Sequence, residues 1–478
     1  MILYRNRKER YVHIILNRII KSKRLSYLLI CLLLCTASAS AQLTNPLRDN
    51  QGRHVVPRGF VVITNDHIGD VYYHLSDYQR MARLGANYQV IRVNARELPL
   101  DDVQQANAYL ARLDSLVDLG RKVGMKTVMK MTIYGIKKFS WERFWTNEDN
   151  IQDVYVDRWK LVFDYFKDNF FVSGYDLLNE PRKKSLKVSY NEITEDYLFP
   201  FYEKLIDEAN KYDKTKSFYC QSIYLNKEDR GHDELSIIRK PINRKHVILT
   251  PHLYQWESTK VGPQMNMNST NAQTMKAKML VGEWGIPTLS SSDSTIEAQL
   301  DYKKLYMRTL QVFDSLGCGA FKAWFAGTRK MMKYMHGEPY TWCLFRDNGA
   351  VGSYERKYIM DIIAHPYPQI IAGDIYRFNF DFPTRKFTVS LKPDNSKGAS
   401  FIYLCADRYY QDGFVGTLSD GTVLSYDPLI PNRIEVVKCG DTFQANDVVW
   451  DSSKQRIIFL RWPKVSNLLT IKITPGLI

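Results

Sequence analysis

Gly174-Tyr175-Asp176-Leu177-Leu178-Asn179-Glu180-Pro181 is a short apolar run that stops at an amide, a carboxylate and a proline. A buried strand that delivers an acid to the rim of a cleft and then turns sharply has this form. Asn-Glu-Pro alone arises by chance in roughly one chain in twenty of this length, so the reading depends on a second stretch. Met279-Leu280-Val281-Gly282-Glu283-Trp284-Gly285 supplies it, again an apolar run that delivers a glutamate. Glu180 and Glu283 lie 103 residues apart, room for about three strand-helix units. In an eight-fold strand-helix barrel they fall at the ends of the fourth and seventh strands. Either glutamate taken singly reads as an ordinary surface acid; the shared context of both is what points to a cleft.

Two carboxyls roughly 5 Å apart can cleave a glycosidic bond with retention, one protonating the leaving oxygen and the other attacking the anomeric carbon. Glu180 and Glu283 are therefore the candidate catalytic pair. Burial of Glu180 beside an ionised Glu283 is expected to raise its pKa, with Arg92 and Tyr254 keeping Glu283 charged. No metal or cofactor is required by such a mechanism, and neither is expected.

The chain has 478 residues, enough for a barrel plus a smaller partner, and its 45% hydrophobic and 24% charged content excludes disorder. Lys21, Lys23 and Arg24 precede an apolar run over residues 25–35, and Ala39-Ser40-Ala41 follows with small residues. Residues 1–41 thus read as a signal peptide cleaved before Gln42; the run is short for a membrane span. They carry eight Lys or Arg and one Glu, leaving 58 basic and 50 acidic residues in the remainder, only mildly basic. No basic stripe with interleaved aromatics occurs, which argues against nucleic acid, while attraction to anionic lipid surfaces or acidic glycans stays open. Five cysteines lie beyond residue 41 without metal-like spacing, and their odd number leaves at least one thiol free.

In order, residues 54–63 read as the first barrel strand, 88–93 as the second, 126–132 as the third, 217–222 as the fifth, 246–250 as the sixth and 319–324 as the eighth. Helices are expected over residues 105–123, 197–211 and 294–316, the last opened by a capping box, and Ser76-Asp77-Tyr78-Gln79 suggests another. Phe139, Trp141, Phe144 and Trp145 make the loop after the third strand aromatic; lid, substrate platform and packed plug are all compatible with it. Arg182, Lys183, Lys184 and Lys187 place positive charge after Pro181, ordinarily a solvated face. Arg92 near the end of the second strand, His252 and Tyr254 past the sixth and Trp324 at the end of the eighth sit where site residues project. After a final helix over 356–364, His365-Pro366-Tyr367-Pro368 reads as a linker, and short strands over 386–391, 400–404, 433–437, 455–460 and 468–473 follow.

The fold class is therefore α/β: a (β/α)8 TIM barrel over residues 42–365, then an antiparallel β-sandwich over 366–478.

These residues together resemble glycoside hydrolase family 5 over about residues 50–365. The resemblance implies Glu180 as acid/base, Glu283 as nucleophile, Asn179 at the sugar 2-hydroxyl, and Arg92, His252, Tyr254 and Trp324 as supporting and substrate-binding residues. The stretch His365-Pro366-Tyr367-Pro368-Gln369-Ile370-Ile371-Ala372-Gly373, leading into Phe378-Asn379-Phe380-Asp381, is similar to the barrel-sandwich junction of endoglycoceramidases and related glycosylceramidases. That likeness implies a glycolipid substrate, with the aromatic loop at 139–145 as the candidate lipid-facing rim and transient contact with lipid surfaces. A β-glucan or β-mannan is the alternative substrate, and a non-catalytic sugar- or glycolipid-binding barrel the alternative class. One departure stands out: where family members commonly carry Asp-x-His at the end of strand three, this chain has Lys130-Met131-Thr132. Asp66 or His67 are candidate substitutes for the missing histidine.

Overall fold

The computed structural model describes residues 46–63, 72–184, 186–224, 237–286, 295–326, 343–345 and 355–476. The expected signal peptide, Asp66 and His67 lie outside the described residues. No helix among the described residues is long and apolar enough to cross a membrane.

Eight parallel strands close into a barrel: β1 (Arg58–Val62), β2 (Tyr88–Asn94), β3 (Lys126–Thr132), β4 (Val172–Asp176), β5 (Ser217–Cys220), β6 (Val247–Leu249), β7 (Lys278–Trp284) and β8 (Gly319–Lys322). Each pairs with the next, and β8 returns to β1. After Thr250 and Pro251, the β6 chain resumes as His252–Leu253, which pairs with Glu283 and Trp284 of β7. The strands are almost wholly buried, as parallel strands covered by helices on one face and barrel filling on the other must be. The longer described helices are α1 (Leu75–Arg83), α2 (Val103–Lys122), α3 (Ile151–Phe166), α4 (Phe199–Ala209), α5 (Ser258–Thr274), α6 (Ile296–Ser315) and α7 (Lys357–Ile363).

α6 starts one residue later than the expected box: Thr295 is the N-cap, and its side chain accepts from the Ala298 N–H, while Ser294 lies outside the described residues. For α1 the capping box lies two residues earlier, His74 with Asp77 rather than Ser76 with Gln79.

Two six-stranded antiparallel sheets form the sandwich. One contains Tyr367–Ile371, Ser400–Tyr403, Arg456–Phe459 and Val448–Asp451, and also two strands from the start of the chain, Leu47–Arg48 and His54–Val55. The expected first strand over 54–63 is thus two strands. His54 and Val55 pair with Ile371 and Ile370, Pro57 interrupts the run, and only Arg58–Val62 enters the barrel. A proline lacks the N–H that a continuous ladder needs.

The expected linker at 365–368 is likewise corrected. His365 is fully buried, and Tyr367 opens a strand whose phenol donates to the Gly85 carbonyl at 2.6 Å. Arg58 stacks its guanidinium 4.2 Å from the Tyr367 ring, pairs with Asp314 and contacts His365 Nε2 at 2.9 Å. These contacts sit at the N-terminal ends of β1 and β2, opposite the end that carries the glutamates. The sandwich braces the barrel from the side away from the cleft.

Candidate active site

Past Asp176 the β4 chain leaves the sheet but stays pinned. The Leu177 carbonyl accepts from Tyr155 Oη at 2.8 Å and from Trp159 Nε1 at 3.0 Å, both on α3. The Asn179 N–H reaches the Met131 carbonyl of β3 at 3.2 Å, and the Glu180 N–H reaches Gln221 Oε1 at 2.9 Å. Glu180 has φ of 47°, a left-handed conformation unusual for a non-glycine residue and costing of order 1 kcal/mol or more. Those flanking bonds hold it there. Gln221, itself buried, also donates to Asp176 at 3.2 Å. Sequence reasoning missed Gln221; a polar side chain just beyond β5 was the only signal.

His252 Nδ1 lies 3.0 Å from Glu180 Oε1 and 4.0 Å from Glu283 Oε2. Tyr254 donates its phenol to Glu283 Oε2. Lys130 places Nζ 2.8 Å from Glu283 Oε1, a cation that the sequence reading, which named Arg92, did not assign. Arg92 stands beside Lys130 in the β2–β3 register and is half-buried. Lys130 is 1% exposed and also contacts Asp176 Oδ2 at 3.4 Å and His252 Nε2 at 3.2 Å. The strand-three departure therefore marks a site residue that sequence reading had flagged without a role. Thr132 beside it is buried, with its hydroxyl 3.3 Å from the Val93 carbonyl.

Burial pushes the Glu283 carboxyl up, but the Lys130 ammonium, His252 and the hydrogen bonds from Lys130 and Tyr254 outweigh it and hold it down at about 2. Burial pulls Lys130 down, yet the Glu283 and Asp176 charges keep it above the ordinary lysine value. Burial raises Asp176 in spite of Lys130. The expectation for Glu180 is reversed in the open cleft. Burial and Glu283 push it up, but the His252 hydrogen bond and charge, with Arg182 at 3.3 Å, bring it below the usual glutamate value.

Asn179 turns a buried Oδ1 without a hydrogen-bond partner beside Glu180, an acceptor available to a substrate hydroxyl. Trp324 follows β8 and is 7% exposed. The aromatic loop is a plug. Trp141, Phe144 and Trp145 are buried, Trp141 stacks on Trp145 at 5.8 Å, and Phe144 meets Phe201 at 5.0 Å. Those three rings are thus unavailable as a lipid-facing rim. Trp145 Nε1 instead donates to the Arg182 carbonyl at 2.9 Å and steadies the loop after Glu180.

One carboxylate oxygen from each glutamate and a His252 nitrogen lie within 4.8 Å of one another. This donor trio has metal-like spacing, but Lys130 already places an ammonium against both Glu283 and His252, which repels a divalent ion. The arrangement suits two carboxyls acting on one bond. All five described cysteines are free, with only Cys439 exposed.

A sequence model of cellulases, glycosyl hydrolase family 5, matches residues 69–320. The chain belongs to glycoside hydrolase family 5. The C-terminal domain of the same family matches residues 365–473. An endoglycoceramidase of Cyanea nozakii is 23% identical over 305 residues, covering 62% of this chain and 56% of that relative, so the chain spans little over half of its length. Among solved structures, the lactosyl-enzyme intermediate of endo-glycoceramidase II from Rhodococcus sp. superposes with a TM-score of 0.67 at 17% identity, covering 90% of this chain and all of that one. An endogalactoceramidase gives 0.65 at 15% identity, covering 91% and 99%. At these identities the structures establish the shared barrel-and-sandwich fold of this family 5 member.

Proposed function

We propose that this chain is a retaining β-glycoside hydrolase that cleaves the sugar-lipid bond of glycosphingolipids, with Glu180 as acid/base and Glu283 as nucleophile. The observation that carries this reading is the pair of glutamate oxygens within 4.8 Å. That spacing is close to the separation of about 5 Å used for direct attack and too tight for the intervening water of an inverting site. Glu283 attacks the anomeric carbon while Glu180 protonates the departing oxygen, and a water activated by Glu180 then releases the sugar from Glu283. Asn179 Oδ1 accepts from the 2-hydroxyl, Arg92 borders the sugar, and Trp324 floors its ring.

The glycolipid assignment is supported by relatives named as endoglycoceramidases, one of them solved in complex with ganglioside GM3. With the aromatic loop buried, Trp256 is a better-placed lipid contact: it is 55% exposed, two residues beyond Tyr254. Residues 1–41 act as an export signal in this reading, and N-terminal sequencing of the exported protein should begin at Gln42.

Product analysis tests the substrate. The full chain is incubated separately with glucosylceramide, a longer glycosphingolipid and a mixed β-glucan. Free ceramide is the expected product, and the released glycan shows whether one sugar or the whole chain departs. Oligosaccharides from the glucan alone overturn the glycolipid assignment.

A further inference from the structure

Lys130 stands where the family resemblance leads one to expect an acid, two residues before the position of the missing histidine. Its Nζ touches Glu283 Oε1 at 2.8 Å, His252 Nε2 at 3.2 Å, Asp176 Oδ2 at 3.4 Å and the Gly282 carbonyl at 3.4 Å. At 1% exposure it is walled off from a sugar in the cleft; it touches only groups that themselves reach the reacting bond or hold those that do.

An ammonium donates and cannot accept. When Lys130 donates to His252 Nε2, the imidazole proton lies on Nδ1, the atom 3.0 Å from Glu180 Oε1. The same cation sits on Glu283. One side chain thus favours a negative Glu283 and the Nδ1–H tautomer of His252 that donates to Glu180. Burial and the Glu283 charge favour the proton on Glu180 that the first step consumes, while the His252 hydrogen bond and Arg182 oppose it.

We propose that Lys130 is the positioning residue that keeps Glu283 ionised and turns the Nδ1–H of His252 toward Glu180. The proposal rests on the reading of Glu283 as nucleophile and Glu180 as acid/base. The titratable and charged groups around Lys130 and the groups it touches are Arg92 beside it on β2, Asp176 on β4, Glu180 just past β4 with Arg182 against it, His252 and Tyr254 past β6, Glu283 on β7 and, within the field of Glu283, Lys322 on β8.

The two chemical steps feel Lys130 differently. In the first, a Glu283 oxygen bonds to the anomeric carbon, the bond to the aglycone oxygen breaks, and the Glu180 proton goes to that oxygen. In the second, water bonds to the anomeric carbon as the ester C–O bond breaks, the electron pair of that bond returns to Glu283, and the water's proton passes to Glu180. Lys130 stabilises the carboxylate that is released, so it assists the second step and tempers the nucleophile in the first.

The test compares wild type with Lys130→Met in the full chain, using the dinitrophenyl glycoside of the sugar released in product analysis. That leaving group needs no proton. Removing Lys130 is expected to move the acid limb of the kcat/KM profile up by at least about one pH unit. kcat and KM should fall together by about tenfold, with glycosyl-enzyme accumulating in intact-mass spectra. An unmoved acid limb without accumulation overturns the proposal.

Since Lys130→Met leaves Asp176 buried without its cation, Lys130→Met/Asp176→Asn is measured beside it. The same shift is expected there, and a folded double variant with a wild-type limb overturns the proposal equally. Labelling wild type with a fluorosugar inactivator separates the two levels. An adduct on a residue other than Glu283 overturns the functional reading and this proposal with it. An adduct on Glu283 with an unmoved limb overturns the role of Lys130 alone.

Discussion

Glu283 and Gln221 show how differently two residues of one site can act. In the proposed mechanism Glu283 carries its charge at the reacting centre, so Glu283→Gln should reduce turnover below about a thousandth while the folded state persists. Near-normal turnover in that variant would remove Glu283 from the mechanism. Gln221 acts through its bonds to the Glu180 N–H and to Asp176. Gln221→Ala should lower kcat about tenfold with KM little changed, and cost about 1–3 kcal/mol in denaturant unfolding, because two buried groups lose their partner. A normal kcat in a folded Gln221→Ala protein would show that Glu180 holds its conformation unaided.

The elements position these residues through close strand contacts. Gly174 in β4 is an instance: a Cβ built there would lie 2.1 Å from the Ser217 carbonyl oxygen of β5. Backbone cannot yield as a flexible side chain does, so Gly174→Ala should cost about 3 kcal/mol or more, read as a lowered urea midpoint, and should impair activity by displacing Glu180. Wild-type stability would mean that β4 and β5 can separate without loss. Element types were readable in the sequence because burial periodicity is local. The Lys126–Thr132 strand emerges with the expected bounds. Residues 54–63 read as one strand in spite of Pro57, since nothing local distinguishes a kinked strand from two strands in different sheets.

Across the whole molecule, two buried histidines tie the sandwich to its surroundings. His54 is 1% exposed and accepts the Ile375 N–H on Nδ1 at 3.2 Å; burial lowers its pKa from 6.5 to about 4, with Arg48 adding to the effect. His365 is also lowered, by burial first and Arg58 next, against the pull of Asp314. A histidine depressed in the folded state stabilises fully above its unfolded value and loses that contribution as pH falls toward its folded value. Stability should therefore decline as pH is taken below 6.5, with His54 alone contributing on the order of 3 kcal/mol by pH 4. Thermal unfolding between pH 7 and pH 4 checks this, and His54→Gln should flatten the slope. An equally steep slope in that variant would place the acid sensitivity elsewhere.

Local sequence determined that strands and helices alternate, that a β-rich region follows, and that two glutamates stand at the ends of apolar runs. Hydrophobic spacing, turn residues and the proline after Glu180 act over a few residues and need no partner to be read. Tertiary structure alone decided that Lys130 of β3 meets Glu283 of β7, that the aromatic loop is buried, and that His54 and Val55 pair with Ile371 and Ile370. Those facts depend on barrel closure and on packing between segments distant in the chain. The charge a buried carboxylate keeps is set by whichever side chains that closure brings within hydrogen-bond reach.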